Sequence, residues 1–206
     1  GSHELVLGEQ SVTFHAAIPA RGDVNVVTRV GAIYDKGSGA LVILESTARD
    51  NTTGQPMFTA SCGLFVTGHG NFGGERGPAN AEPTTPPDRR ADRTSWAETS
   101  RSQTLLYRYA GNDRNPIHAD REVAWKAGYR EPILMGQNTL GFACRALVHE
   151  LCGGDPTRLR SLGGRFASAG YNGDTLIVEM WSGDGVGTDA NGDRVVLFRV
   201  LNQRRD

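Results

Sequence analysis

Between residues 10 and 67 the chain carries four runs rich in Val, Ile, Thr, Phe and Leu, at 11–18, 25–34, 41–49 and 57–66. Runs of this length and composition predict strands rather than helices. Between them lie Arg21-Gly22-Asp23, Asp35-Lys36-Gly37-Ser38-Gly39 and Asp50-Asn51-Thr52-Thr53-Gly54. These residues tolerate positive φ or make local side-chain turns, and their spacing suits successive antiparallel hairpins. The expectation is a four-stranded meander. No stretch within residues 1–70 reads as a helix able to cover its apolar face, so something else must do so.

From 68 to about 102 the character shifts to Gly, Pro, Asn, Thr, Arg and Asp, including Pro83-Thr84-Thr85-Pro86-Pro87. With no sustained hydrophobic period, this stretch reads as a linker too long for an ordinary connection, with Trp96 pinning it to the surface. A second unit follows. Residues 104–109 read as a strand, and 119–127 as a short helix started by Asp120 or by Pro116. From 133 to about 151, Ile133, Leu134, Leu140, Phe142, Ala143, Ala146, Leu147 and Leu151 mark a longer helix, stopped by Gly153-Gly154. Strands are expected at 159–167, 175–181 and 194–203, with Asn172-Gly173-Asp174 and Asp189-Ala190-Asn191-Gly192 as turns. The layout is α+β, an antiparallel sheet wrapped around a long central helix. The first unit reads as the strands of the second with the helix removed, and the two sheets are expected to pair edge to edge as a tandem. The divisions are 1–72, a linker at 73–102, and 103–206.

Charge narrows the partners. With 22 basic and 23 acidic residues the formal net charge is -1, which gives no field to draw nucleic acid or an anionic bilayer. No apolar stretch approaches the roughly 18 residues of a membrane span, and no basic head precedes an apolar signal segment. A soluble, cytoplasmic protein is expected. Gly1-Ser2-His3 reads as an expression scar or as the start of a piece cut from a longer chain. Cys62, Cys144 and Cys152 are odd in number, lack metal-type spacing and sit among apolar neighbours, which predicts buried reduced thiols and no disulfide framework. No metal constellation and no Gly-rich nucleotide loop is present in the sequence.

Candidate chemistry concentrates in Tyr107-Arg108-Tyr109-Ala110-Gly111-Asn112-Asp113-Arg114-Asn115-Pro116-Ile117-His118. Pro116 forces Asn115 into extended or turn geometry, and a tight turn can aim Asp113 and His118 into one pocket. An imidazole beside a carboxylate is suited to proton transfer near neutrality. The start of the long helix offers unpaired N–H groups and a positive dipole end, with Gly136 the candidate for close approach to an anionic oxygen. His15 and His149 read as surface residues. Arg108, Arg145 and Arg165 could meet phosphates, although a solvated or salt-bridged face is their commoner fate.

With Ala124, Gly128-Tyr129, Pro132-Ile133-Leu134 and Gly136 following at fixed spacing, the stretch resembles the signature of the MaoC-like, type 2 (R)-specific enoyl-CoA hydratases. Gly8-Glu9-Gln10-Ser11-Val12 and Tyr34-Asp35-Lys36-Gly37 are similar to the N-terminal half of double hot-dog members. Arg165-Phe166 and Gly173-Asp174-Thr175-Leu176 are similar to the segment after the long helix. The resemblance implies a tandem hot-dog fold whose N-terminal half, here reduced, cradles an acyl tail while the C-terminal half is catalytic. It implies a trans-2-enoyl-CoA thioester as substrate, with no cofactor, and hydration to a (3R)-3-hydroxyacyl-CoA in fatty-acid or steroid side-chain metabolism. Asp113 and His118 are then the catalytic pair, Asn115 positions them or the substrate, Gly136 and Met135 meet the thioester, and Arg165 meets CoA. Met135 departs from the His common at its position, Gly111-Asn112 from a Ser-Gly, and Ala169 and Asn172 from two prolines. Homodimerisation is expected to close the trough that a reduced first half leaves open. A non-catalytic hot-dog partner subunit and an acyl-CoA thioesterase are the alternatives on the same fold.

Overall fold

Strands β1 (Leu5–Phe14), β2 (Val24–Asp35), β3 (Gly39–Asp50) and β4 (Pro56–Thr67) form where the apolar runs predicted them. The computed structural model describes residues 5–77, 85–183 and 186–204. The opening Gly1-Ser2-His3 and Pro83-Thr84 lie outside the described residues. Contacts divide the chain into two compact units, Gly1–Gly77 with Gly154–Ala169, and Pro78–Gly153 with Gly170–Asp206.

In the first unit the strand order is β2-β3-β4-β1-β6, with β6 at Ser161–Arg165. Only β2, β3 and β4 are hairpin neighbours; β1 lies antiparallel to β4, with Phe14 opposite Phe58. The four-strand meander is corrected on this point. Residues 15–23, with Pro19 among them, are too long a connection for a tight hairpin, and β1 takes the far side of β4 instead. A second correction concerns β6, which was expected with the second unit and pairs with β1, Gln10 opposite Gly164. Ala48 and Met57 are buried, whereas β2 leaves Val24, Val26, Val27, Val30 and Ile33 between 46% and 64% exposed.

The turn after β2 is clamped. Asp35, only 7% exposed, accepts N–H bonds from Gly37 at 2.9 Å, Asn71 at 2.8 Å and Gly73 at 2.9 Å. Those bonds, chiefly from Gly37 and Asn71, hold its carboxyl below the usual range. A Cβ at Gly70 would overlap the Gly37 carbonyl, so no side chain fits where this loop crosses the turn. Gly70→Ala is expected to destabilise the chain by about 1–3 kcal/mol through backbone overpacking, read as a lowered Tm, with Gly141→Ala, where no atom lies within 4 Å and φ is not positive, as a reference for the shift. An unchanged Tm would mean the loop can move away without cost.

The second unit has the sheet β5-β7-β8, from Arg93–Glu98, Thr175–Ser182 and Val196–Gln203. The described strands thus fall in two sheets, not the one extended sheet expected from edge pairing. Part of the expected linker is strand β5, because Ala97 is buried opposite Leu176 of β7 while polar residues hide the short apolar signal. Trp96, the expected pin, is 65% exposed on that strand. Residues 104–109 are not a strand but lie in helix α1 (Gln103–Gly111), since Gln, Leu, Arg and Ala favour helix and Asn112 closes it in the left-handed region at φ 55°.

Helix α2 (Arg121–Lys126) is capped as predicted by Asp120, whose carboxylate accepts from Glu122 N at 2.8 Å and Val123 N at 3.2 Å. The long helix, α3 (Gly136–Leu151), starts three residues later than 133 because Ile133 and Leu134 bond elsewhere in extended form. It packs through Ala143, Ala146 and Leu147 against the face of β5 and β7 that buries Leu176, Val178 and Met180. The three cysteines are free, and half-buried rather than buried. No helix among the described residues is long and apolar enough to cross a membrane.

Candidate active site

Local sequence builds the site between α1 and α3. After Asn112 turns the chain, Asp113 Oδ1 accepts the Asn115 N–H at 3.0 Å. Asn115 takes the extended conformation that Pro116 demands, φ −58° and ψ 121°, and its Oδ1 accepts the Ile117 N–H at 3.2 Å. Pro116–His118 is one 3₁₀ turn with Pro at its first position. Ile117, 1% exposed, anchors it in the core. These two nested side-chain turns fix the direction in which Asp113 and His118 emerge.

They emerge together. His118 Nε2 lies 3.7 Å from Asp113 Oδ2, with 11% of the imidazole side chain and 30% of the carboxylate side chain exposed. His118 Nδ1 is 2.8 Å from the Ile133 carbonyl oxygen. A carbonyl can only accept, so Nδ1 carries the proton and the neutral ring turns the Nε2 lone pair towards Asp113. Burial, the largest influence, keeps the His118 pKa below its ordinary value of 6.5. The Ile133 carbonyl and the Asp113 carboxylate pull the other way, and the Arg108 guanidinium adds to the depression. The resting pair is therefore two acceptors facing each other across a gap too wide for a direct hydrogen bond.

The beginning of α3 is delivered to the same place. Ile133 N–H bonds the Ile117 carbonyl at 3.4 Å and Leu134 N–H bonds the Gly170 carbonyl at 2.8 Å, while Ile133 also bridges to Tyr171. Held on both sides, this segment sets Met135 as the N-cap and Gly136 as the first helical residue. The first-turn N–H groups of a helix have no intrahelical acceptor. Met135 is 2% exposed and acts as a core residue at the helix mouth.

The predicted residues are spread over more than this one turn. Asp113, His118 and Asn115 share one turn, with Gly136 three residues beyond the carbonyl that holds His118. Arg165 closes β6 in the other unit, opposite Glu9. Arg145 lies over Phe142 of its own helix at 5.5 Å. Arg108, read as a solvated or paired surface residue, instead has a buried Nη1 without a hydrogen-bond partner among the described residues. Tyr107 belongs to the same motif; its hydroxyl lies 3.4 Å from Gln137 Oε1, and burial and the Asp113 charge raise its pKa. Had 104–109 been read as a helix, Tyr107 and Arg108 would have come forward, because one turn later the chain reaches Asp113. Among the described residues no group of three or more His, Cys, Asp or Glu could hold a metal ion.

A carboxylate and a neutral imidazole beside a free helix tip define an acid-base site on an antiparallel α+β scaffold. Residues 81–201 match the family described as MaoC like domain, and residues 2–68 match the MFE-2 hydratase 2 N-terminal domain. The chain belongs to the MaoC-like dehydratase-domain family. It is 39% identical over 177 residues to a protein of Dictyostelium discoideum named probable enoyl-CoA hydratase 2, covering 86% of this chain and 60% of that protein. The MaoC-like dehydratase structure from Phytophthora capsici superposes with a TM-score of 0.80 at 29% identity, over 100% of this chain and 74% of that one. A Mycobacterium tuberculosis protein described as a double hot-dog fold aligns over 97% of this chain and 74% of its own with a TM-score of 0.56 at 15% identity, a likeness of fold alone. The fold is of the α+β hot-dog type. The chain spans about three-fifths of the length of the curated relatives it matches.

Proposed function

We propose that the chain hydrates trans-2-enoyl-CoA to (3R)-3-hydroxyacyl-CoA and runs the reverse dehydration. The observation that carries this reading is the facing pair of acceptors, His118 Nε2 and Asp113 Oδ2, 3.7 Å apart. Water can donate one hydrogen to each, which presents its oxygen lone pair outward as a nucleophile. As the oxygen bonds to C3 of the substrate, Nε2 takes a proton from the water and the C2–C3 π electrons move onto the thioester oxygen. Asp113 stabilises the imidazolium so formed. The same proton then passes to C2 as the enolate collapses, leaving the pair in its starting state. The negative thioester oxygen is met by the Gly136 N–H and the α3 dipole. Base, acid and oxyanion donor cover the chemistry, so no cofactor is assigned. Asn115 is a positioning residue, because its Oδ1 is committed to the turn.

The wider reading is a tandem hot-dog whose first unit cradles the acyl tail, with Arg165 contacting CoA, in a cytoplasmic homodimer. The relatives' names support the reaction class. The exposed valines of β2 support an apolar cradle or a pairing surface. Loss of the enoyl-thioester absorbance without release of free thiol tests the reaction; thiol release would assign hydrolysis instead.

The pH dependence follows from the His118 environment. Because burial holds its pKa below 6.5, the basic form persists into mildly acid solution, and kcat/KM should fall only below that value as Nε2 takes up a proton. Removing the Arg108 charge relieves part of the depression, so Arg108→Met is expected to move the acid limb to higher pH. A limb that stays in place would remove Arg108 from the electrostatics of the base.

A further inference from the structure

Helix α1 is built with its polarity reversed. Thr104 is buried and Tyr107 and Arg108 are half-buried, a spacing that puts the three on one helical face, whereas Leu105, Leu106 and Tyr109 stand exposed. A surface helix normally buries its apolar stripe, so polar groups on the inward face must each find a partner or carry a desolvation cost. Two of them are partnered. The Thr104 N–H donates to Asn172 Oδ1 at 2.9 Å and the Thr104 hydroxyl accepts from Asn172 Nδ2 at 3.1 Å, while the Tyr107 hydroxyl lies 3.4 Å from Gln137 Oε1. Arg108 differs: its Nη1 is buried with no hydrogen-bond partner among the described residues. A buried guanidinium N–H left in that state calls for an acceptor brought from outside the chain.

Its surroundings narrow the acceptor. Tyr107, the preceding residue, reaches Gln137, which follows Gly136, and the Arg108 charge is felt at His118. The guanidinium thus belongs beside both the base and the first turn of α3. Its effect on the base is adverse, because a fixed positive charge opposes the imidazolium that forms when Nε2 takes the water proton. The other charge created in the reaction is the negative one on the thioester oxygen, and a buried guanidinium N–H favours that charge where solvent does not compete. Resting on the hydratase reading, we infer that Arg108 Nη1 donates to the thioester oxygen as the C2–C3 π electrons reach it, a second oxyanion donor beside the Gly136 N–H. The guanidinium keeps its proton throughout, and the hydrogen bond loosens when the electrons return to form the C2–H bond.

The sign of one measurement separates this role from an effect on the base alone. If Arg108 acted only on His118, Arg108→Met would leave a stronger base, and kcat on the plateau above the acid limb would stay the same or rise. Loss of an oxyanion donor should instead lower plateau kcat roughly 10²- to 10³-fold, with part of the loss recovered in Arg108→Lys, which keeps the charge. A spectroscopic readout needs no turnover. A 3-oxoacyl-CoA absorbs in the near ultraviolet as its enolate, and the enolate fraction of the bound ligand should be high in the wild-type chain and low in Arg108→Met. A saturated acyl-CoA of the same length should bind both proteins with Kd values within about threefold, because the donor acts on the charge formed in the reaction more than on the neutral thioester. An unchanged plateau kcat or an unchanged enolate fraction overturns the assignment. Equal weakening of the saturated and 3-oxo ligands overturns it too, by making Arg108 a contact to the resting substrate. Should Arg108→Met fail to fold by circular dichroism, Arg108→Gln and Arg108→Lys carry the same comparison. If the wild-type chain hydrates no enoyl thioester, the hydratase reading fails on its own. The enolate fraction then still decides the donor: equal fractions in wild type and variant, or no bound enolate in either, overturn it.

Discussion

Replacing Asp113 with Asn, or His118 with Gln, is expected to lower kcat for enoyl-thioester hydration roughly 10²- to 10⁴-fold, the usual contribution of a positioned acid-base group. The choice of Asn keeps the fold out of the measurement. Asp113 Oδ1 serves the turn by accepting the Asn115 N–H, and an amide oxygen can do the same; what changes is Oδ2, the atom that faces His118. An Asn at this position offers no net charge to stabilise an imidazolium and can set an N–H against Nε2, which occupies the lone pair meant for water. Gln at His118 likewise fills the buried space while removing the base. The two losses should not add, because each residue acts on the same water: the double variant is expected to be little slower than the worse single one. Circular dichroism and Tm of the single variants should stay close to wild type. Full activity in either single variant would sink the lyase assignment, and multiplicative losses would mean that the two groups act at separate steps.

How much of this was legible in the sequence depended on whether the signal was local. The Asn115-Pro116 turn, the Asp120 cap and the Gly153 stop were legible because backbone stereochemistry and side-chain capping act within a few residues. The convergence of Asp113 and His118 was legible for the same reason, and the family resemblance strengthened it. Strand partnership was not. The runs around β1 and β6 announce strands, but only long-range register tells that Gln10 stands between Cys62 and Gly164. Strand β5 stayed hidden because Arg93, Ser95 and Glu98 break the apolar pattern while β7 supplies the pairing. Helix α1 was misread because Leu105, Leu106 and Tyr109 give the apolar content of a strand yet are exposed on the helix. That error concealed the electrostatic role of Arg108, since a strand would not have suggested a guanidinium one helical turn from the catalytic loop.

The thioester oxygen allows a sharper test than a conventional side-chain deletion, because its proposed donor is a backbone N–H at Gly136. Proline at this position removes that one donor. It is also the residue best tolerated there: Gly136 is the first residue of α3, where the N–H has no intrahelical role and a φ near −65° is already required. Its neighbour is compatible too, since Met135 has φ −65° and ψ 134°, within the extended region that a following proline imposes. Gly136→Pro should therefore keep helix content and Tm while lowering kcat roughly 10²- to 10³-fold, the range for loss of one oxyanion donor. Gly136→Ala separates the two ways a ring could act: it keeps the N–H and adds bulk, so a small loss in Ala beside a large one in Pro isolates the hydrogen bond. Equal losses would assign Gly136 to steric clearance alone. The enolate charge would then rest on the α3 dipole and the remaining first-turn N–H groups, and Asp113 and His118 would carry a larger share of the acceleration.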